Sequence, residues 1–317
     1  MKISVALCTY NGEKYLQQQI DSILNQSVAV DEIVICDDCS SDSTTSILFE
    51  NVQKHPDVFR IYINETNLKS NKNFEKAIDL STGDFIFLSD QDDIWRLDKV
   101  EKILQLFERN PAAEGVFSNA DFIDDFGNRI ETNLDLWSTV NFFTSSPGSS
   151  TDFYQSLIYM GNFLTGATLC LKKEAKEVLI PFQTSSNFLH DEWIALVLSK
   201  RKTLYFSGEN LIHYRLHSDQ QVGMGKLKYD RKAVDNKKKY ADLILGTIEP
   251  KTYAASKKVV KKIVGQYHKY EQLEKFYDTN LFTEVKEFLR ARYIKIEMLM
   301  KKQNPILFYF RGNKVKI

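Results

Sequence analysis

Short runs of apolar, β-branched and aromatic residues alternate, through the first part of the chain, with segments whose apolar positions fall three and four apart. Ile3–Cys8, Glu32–Cys36, Phe59–Ile63, Phe85–Leu88 and Gly115–Ser118 read as strands, and Tyr15–Leu24, Ser43–Gln53, Phe74–Leu80 and Val100–Phe107 as helices. Ser40-Ser41-Asp42-Ser43 supplies N-cap residue types for the second helix, and Asn110-Pro111 punctuates the fourth. This alternation predicts an α/β fold with a mostly parallel central sheet covered by helices, and it places a ligand beyond the carboxyl ends of the strands. From Glu131 to Asp152 the pattern dissolves into Ser, Thr, Asn, Pro and Gly, which predicts a loop. Beyond it, Ala167–Leu171, Thr203–Phe206 and Leu211–Leu216 read as strands, and Glu174–Leu179 and Glu192–Ser199 as helices. Helical periods dominate from Lys226, near Lys228–Ile244, Ala254–Tyr277 and Thr283–Lys302, before Ile306-Leu307-Phe308-Tyr309-Phe310. The expected division is an α/β domain over 1–225 and a helical extension over 226–317.

At 317 residues and 43% hydrophobic content the chain can fill a sizeable core. No run of 18 apolar residues exists, and the apolar start Ile3–Cys8 is too short for a secretory signal, so a cytoplasmic location is expected. Cys8, Cys36, Cys39 and Cys170 are too few and too irregular for a disulfide framework. Cys36 and Cys39 have C-x-x-C spacing, but no second thiol pair exists to complete a zinc site. The formal net charge of zero hides a division: residues 226–317 carry 23 Lys and Arg against 10 Asp and Glu, and the rest of the chain carries the opposite excess. A basic extension on an acidic body meets either that body or an external anionic surface.

The sharpest chemical signal is Ser89-Asp90-Gln91-Asp92-Asp93, with its carboxylates crowded onto the end of the apolar run Phe85–Leu88. Carboxylates so close raise one another's pKa values unless a cation neutralises them. Hard oxygen ligands suit Mg²⁺ or Mn²⁺, and Mg²⁺ takes one or two carboxylates and fills its remaining positions with water and substrate phosphates. The cluster therefore predicts a divalent metal and a phosphorylated ligand. At other predicted strand ends stand Thr9-Tyr10-Asn11-Gly12, a polar turn able to present donors to a nucleotide, and Asp37-Asp38, able to accept from a base N–H or ribose hydroxyl.

Ile3–Gly12, Ile33–Asp42 and Asp90-Gln91-Asp92-Asp93-Ile94-Trp95, in that order and at that spacing, closely resemble the family 2 glycosyltransferases over roughly residues 1–220. The Gln within the acidic motif and the Ile-Trp after it look like the bacterial rhamnosyltransferase branch. The resemblance implies a GT-A fold and transfer of a sugar, with inversion, from a nucleoside-diphosphate donor, dTDP-L-rhamnose being the branch-level expectation. It implies that Thr9, Tyr10 and Asn11 line the nucleotide pocket, that Asp38 contacts the base, that Asp90 faces ribose or metal, and that Asp92 ligates the metal. In Leu189-His190-Asp191-Glu192-Trp193 it implies that Asp191 is the base taking the acceptor's proton; His190 departs from the commoner acidic residue, which leaves Glu192 as the alternative. In Tyr214-Arg215-Leu216-His217, Arg215 is expected to grip phosphate and His217 to serve as a further metal ligand.

The Gln-x-x-Arg-Trp segment of processive synthases is absent, which implies one sugar per encounter. A sugar nucleotidyltransferase would want a glycine-rich phosphate loop, and none is present; a noncatalytic sugar-nucleotide-binding protein would keep the pocket without needing a base. Relatives of this kind extend glycans, including polyprenyl-linked ones. The lysine pairs 257–258, 261–262 and 301–302 would then rest on the anionic inner face of the plasma membrane. No nucleic-acid motif is present.

Overall fold

The computed structural model describes residues 1–132, 134–140, 151–218, 220, 243–245, 248–277 and 279–310. Eight strands form one sheet: β1 (Ile3–Thr9), β2 (Glu32–Asp37), β3 (Phe59–Ile63), β4 (Phe85–Ser89), β5 (Ile94–Trp95), β6 (Gly115–Ile123), β7 (Leu169–Lys172) and β8 (Leu204–Arg215). Their order is β3-β2-β1-β4-β7-β6-β8-β5. β1 pairs in parallel with β2 and β4, β2 with β3, and β6 with β8. β7 runs antiparallel to both β4 and β6, so those two point the same way, and only β5 and β7 are reversed. The carboxyl ends of β1, β2, β4, β6 and β8 therefore share one edge.

β1, Ile-Ser-Val-Ala-Leu-Cys-Thr, is buried at every position, as a strand covered on both faces must be. The covering helices are α1 (Leu16–Leu24), α2 (Thr44–Lys54), α3 (Lys69–Leu80) and α4 (Lys99–Arg109), followed in the chain by α5 (Leu136–Val140), α6 (Thr151–Met160), α7 (Lys176–Leu179) and α8 (His190–Arg201). α4 buries Val100, Ile103, Leu104 and Phe107, an i, i+3, i+4, i+7 stripe. α8 instead buries residues on every side, from His190 and Trp193 to Leu198 and Ser199, as a helix enclosed by its surroundings does.

The chain divides into two compact units, Met1–Ser150 with Phe163–Arg231, and Thr151–Asn162 with Lys232–Ile317. The second holds α6, α9 (Tyr253–Glu274), α10 (Asn280–Gln303) and α11 (Pro305–Phe310). Thr252 and Thr279 cap α9 and α10 by accepting from the N–H groups of Ala255 and Leu281. The core of this unit includes Val259, Val260 and Ile263 of α9 and Phe282, Val285, Leu289 and Ile296 of α10.

Three expectations are corrected. Thr203–Phe206 and Leu211–Leu216 are one strand, because Gly208 and Glu209 do not turn the chain but are absorbed as a bulge opposite Ser118 and Asn119 of β6. The loop expected over Glu131–Asp152 contains α5, and α6 begins within it at Thr151. β6 continues past Ser118 to Ile123 despite the polar Asn119 and Asp121, because beyond the irregularity at Asn119 the pairing with β8 resumes from Ala120 opposite Ile212 to Ile123 opposite Arg215. Most of the helix expected near Lys228–Ile244 lies outside the described residues.

Candidate active site

A cavity of about 440 Å³ opens at the shared strand edge. Thr9, Tyr10, Asn11, Asp38, Asp90, Asp92, Asp191 and His217 all line it, and Arg215 does not. Parallel pairing of β1, β2 and β4 brings the first six together, and β8 delivers His217.

At the β1 and β2 ends, polar groups hold one another in place. Thr9 Oγ1 donates to Asp37 Oδ2 at 2.7 Å, and Asp37 also accepts from the backbone N–H and hydroxyl of Ser40 at 2.9 and 2.6 Å. The Asp38 carboxylate accepts from the N–H groups of Leu68 and Lys69, at 2.7 and 2.9 Å, and from Asn64 Nδ2 at 2.8 Å, so it fixes the entry to α3 while lining the cavity. Asn11 adopts the left-handed region at φ 48° and accepts from the Ser41 N–H through Oδ1 at 2.8 Å. Gln91, which the acidic pattern concealed, accepts from the Tyr10 N–H at 2.8 Å and donates to the Tyr10 carbonyl at 3.1 Å, tying the β4 loop to the β1 turn.

Beyond β4 the charges concentrate. Burial first, then the Asp92 and Asp191 carboxylates, pushes the Asp90 carboxyl up to about 7. Burial likewise raises Asp93 well above the usual range, and its Oδ2 has no hydrogen-bond partner among the described residues. Behind them Lys99 is wholly buried, donating to the Ala167 carbonyl at 2.9 Å with its ammonium 3.6 Å from the centre of the Trp95 ring. Burial drives Lys99 down to about 7 against the pull of Asp93 and Asp90.

Asp92 Oδ2 and His217 Nε2 stand 3.0 Å apart. Among the described residues no group of three or more acidic, His or Cys side chains encloses a cation position. The pair nonetheless suits Mg²⁺ or Mn²⁺ shared with a phosphorylated substrate, which needs few protein ligands. Crowded, buried carboxyl groups whose pKa values are pushed up, one with an oxygen unpaired among the described residues, present the electrostatic strain that such an ion relieves.

Arg215 sits behind this pair, fully buried. Its Nε donates to the Asp92 carbonyl at 2.6 Å, Nη1 to the carbonyls of Asp124 and Asp125 at 3.1 and 3.3 Å, and Nη2 to Gln18 Oε1 at 2.7 Å. Its backbone N–H donates to Asp93 Oδ1 at 3.1 Å, and its guanidinium lies 4.7 Å from the ring centre of Tyr15. The Tyr15 ring also packs on His217, centroids 4.6 Å apart. In place of the phosphate contact expected of it, the Arg215 side chain is spent within the protein, fastening the Asp92 turn to the Asp124–Asp125 segment after β6 and to α1.

The cavity wall continues through Ser70, Asn73 and Phe74 of α3, the Thr165-Gly166 turn, and Leu189, His190 and Asp191 at the start of α8. Asp191 Oδ1 accepts from the Glu192 N–H at 2.7 Å. Glu192 is 5% exposed and does not line the cavity.

The family model described as Glycosyl transferase family 2 matches residues 4–163. An uncharacterized glycosyltransferase of Nostoc sp. is 30% identical over 224 residues, which are 68% of this chain and 65% of that protein. The dTDP-rhamnosyl transferase RfbG of Shigella flexneri is 28% identical over 252 residues, covering 74% of this chain and 80% of its own. Among solved structures, S. aureus TarS 1–349 in complex with UDP-GlcNAc aligns over 98% of this chain and 92% of its own, with a TM-score of 0.55 at 15% identity, a likeness of fold.

Proposed function

The chain belongs to glycosyltransferase family 2, and from that premise we propose that it moves one sugar, with inversion, from a nucleoside-diphosphate donor to a glycan or polyprenyl-linked glycan in surface polysaccharide synthesis. It is a transferase of GT-A fold. What carries the donor reading is the meeting, in one cavity, of the β1 and β2 turns with the Asp92–His217 pair and Asp191. A volume near 440 Å³ falls in the range of sites for ligands of this size.

Thr9, Tyr10, Asn11 and Asp38 would frame the nucleoside, with Asp90 toward the ribose or the ion. Asp92 and His217 would hold Mg²⁺ or Mn²⁺, which when bound neutralises charge on the departing diphosphate. Asp191 then takes the proton of the acceptor hydroxyl as its oxygen bonds to the anomeric carbon and the bond from that carbon to the diphosphate breaks. Cavity lining favours Asp191 over Glu192 for this step.

The relation to RfbG supports dTDP-L-rhamnose as donor. The test is a thermal-shift screen of dTDP-L-rhamnose, UDP-glucose, UDP-N-acetylglucosamine and GDP-mannose with Mn²⁺ and with EDTA, since a ligand that binds only the native state raises its stability. Stabilisation by one sugar nucleotide, lost in EDTA, is expected; indifference to all four would overturn the donor reading.

No helix among the described residues is long and apolar enough to cross a membrane. On α10 and α11, Ile294, Met298, Ile306 and Leu307 are nonetheless exposed near Lys301 and Lys302 in the sequence. This mixture supports a peripheral seat on the anionic inner leaflet, where lipid-linked acceptors lie. Flotation with phosphatidylglycerol vesicles but not with phosphatidylcholine vesicles is the expected result.

A further inference from the structure

His190 opens α8, its backbone N–H donating to Asn71 Oδ1 at 2.8 Å and its ring stacked on Phe74 with centroids 4.2 Å apart and planes 19° from parallel. The residue is 6% exposed, and neither Nδ1 nor Nε2 has a hydrogen-bond partner among the described residues. A neutral imidazole always carries one N–H donor and one acceptor. Leaving both unpaired in a buried wall costs stability, and phenylalanine would fill the same stack without that cost. Burial holds the ring neutral, its pKa driven down to about 3, so at neutral pH it offers hydrogen bonds and no charge.

The ring's surroundings point to where those bonds go. His190, Gly166 and Asp191 all line the cavity. Nε2 lies over Gly166 so closely that a Cβ added there would come within 2.6 Å of it; the imidazole occupies the space that only glycine leaves. Rotation about the Cβ–Cγ bond, a soft torsion, turns a ring nitrogen away from Gly166. Asp191, which the reading above assigns to the acceptor's proton, is the next residue in the chain and lines the same cavity.

We propose that His190 is a specificity-determining residue that hydrogen-bonds a ring hydroxyl of the sugar being transferred, the bound sugar nucleotide completing an imidazole that the free protein leaves unpaired. This rests on the donor reading above. The site would discriminate among donors by the hydroxyl pattern of the sugar and be indifferent to the nucleobase. A pocket built to pair with a hydroxyl rejects ligands lacking it far more strongly than an apolar pocket does.

The test is calorimetric titration, with Mn²⁺, of wild type, His190→Phe and His190→Gln against UDP-glucose, UDP-N-acetylglucosamine, GDP-mannose and dTDP-L-rhamnose, each paired with its free diphosphate. His190→Phe should bind UDP, GDP and dTDP as wild type does, yet lose about tenfold of the extra affinity that the preferred sugar confers. His190→Gln, keeping a donor and an acceptor, should retain part of it. Ligand-free His190→Phe should melt at or above the wild-type temperature, an outcome that a purely structural histidine would not give. Equal preference for sugar-bearing over free diphosphate in wild type and both variants overturns the proposal, as does loss of free-diphosphate binding in both. If wild type binds none of the diphosphates, the donor reading itself fails and takes this inference with it.

Discussion

Two stretches of the cavity wall treat their polar groups in contrary ways. Around Asp92 the guanidinium of Arg215 is spent on three backbone carbonyls and Gln18, and its backbone N–H on Asp93, so that the turn is held before any ligand arrives. Around His190 a ring with two polar atoms is buried against Phe74 and Gly166 and left without partners among the described residues. Charge that must be in place when a bond breaks gains from a fixed frame, since no reorganisation is then needed during the reaction. A group that selects a ligand gains from being incomplete until the right one binds.

The sharpest way to separate the two stretches is to remove one function at a time. Asp191→Asn should lower transfer by ~10²–10⁴ while leaving calorimetric binding of the sugar nucleotide unchanged, and an Asn variant with full turnover would remove Asp191 from the chemistry. Arg215→Met should destabilise the fold by about 3–5 kcal/mol in urea titrations, because it strands the carbonyls and the Gln18 oxygen that the guanidinium satisfies and removes the buried cation facing Asp93 and Asp92. Were Arg215 a phosphate ligand instead, the same variant would lose nucleotide affinity with its stability intact.

A third prediction concerns pH. Asp90, raised to about 7, carries a proton below that value, and a cation competes with that proton. Mn²⁺ affinity should therefore rise with pH through about 7 and flatten above it, and Asp92→Ala should abolish the binding. The smallest expected effect lies away from the cavity. Burial works against ionisation of Glu32, yet hydrogen bonds from Ser4, Thr82 and Lys2 outweigh it and lower the carboxyl from 4.5 to about 2. That stability is fully present above the unfolded value of 4.5 and drains away as pH falls toward about 2, so Glu32→Gln should flatten the acid limb of a stability profile across that window.

Much of the fold was legible because its signals are local. β1, β2, β3 and β4, the three helices between them and α4 after them follow from apolar or β-branched runs and helical stripes, and the three acidic and polar turns follow from their strand ends. What stayed hidden depends on partners remote in sequence. Gly208 and Glu209 look like a turn until β6 is laid beside them, and Ile94–Trp95 forms a strand only against Ile212 and His213. An arginine two residues before a histidine at a strand end looks like a phosphate grip unless one knows that Asp92, Asp124 and Gln18 converge on its guanidinium. The place of His190 was concealed for the same reason, since Phe74 and Gly166 are not its neighbours in the chain.

Asp92 and His217 are 125 residues apart in the chain, and two further strands, β7 and β6, lie between β4 and β8 in the sheet. During synthesis the first of the pair thus leaves the ribosome long before the second, and the nascent acidic turn waits without its imidazole. The contact between Asp92 and His217 therefore forms late, with the seating of the final strand, and a chain that ends before β8 cannot make it.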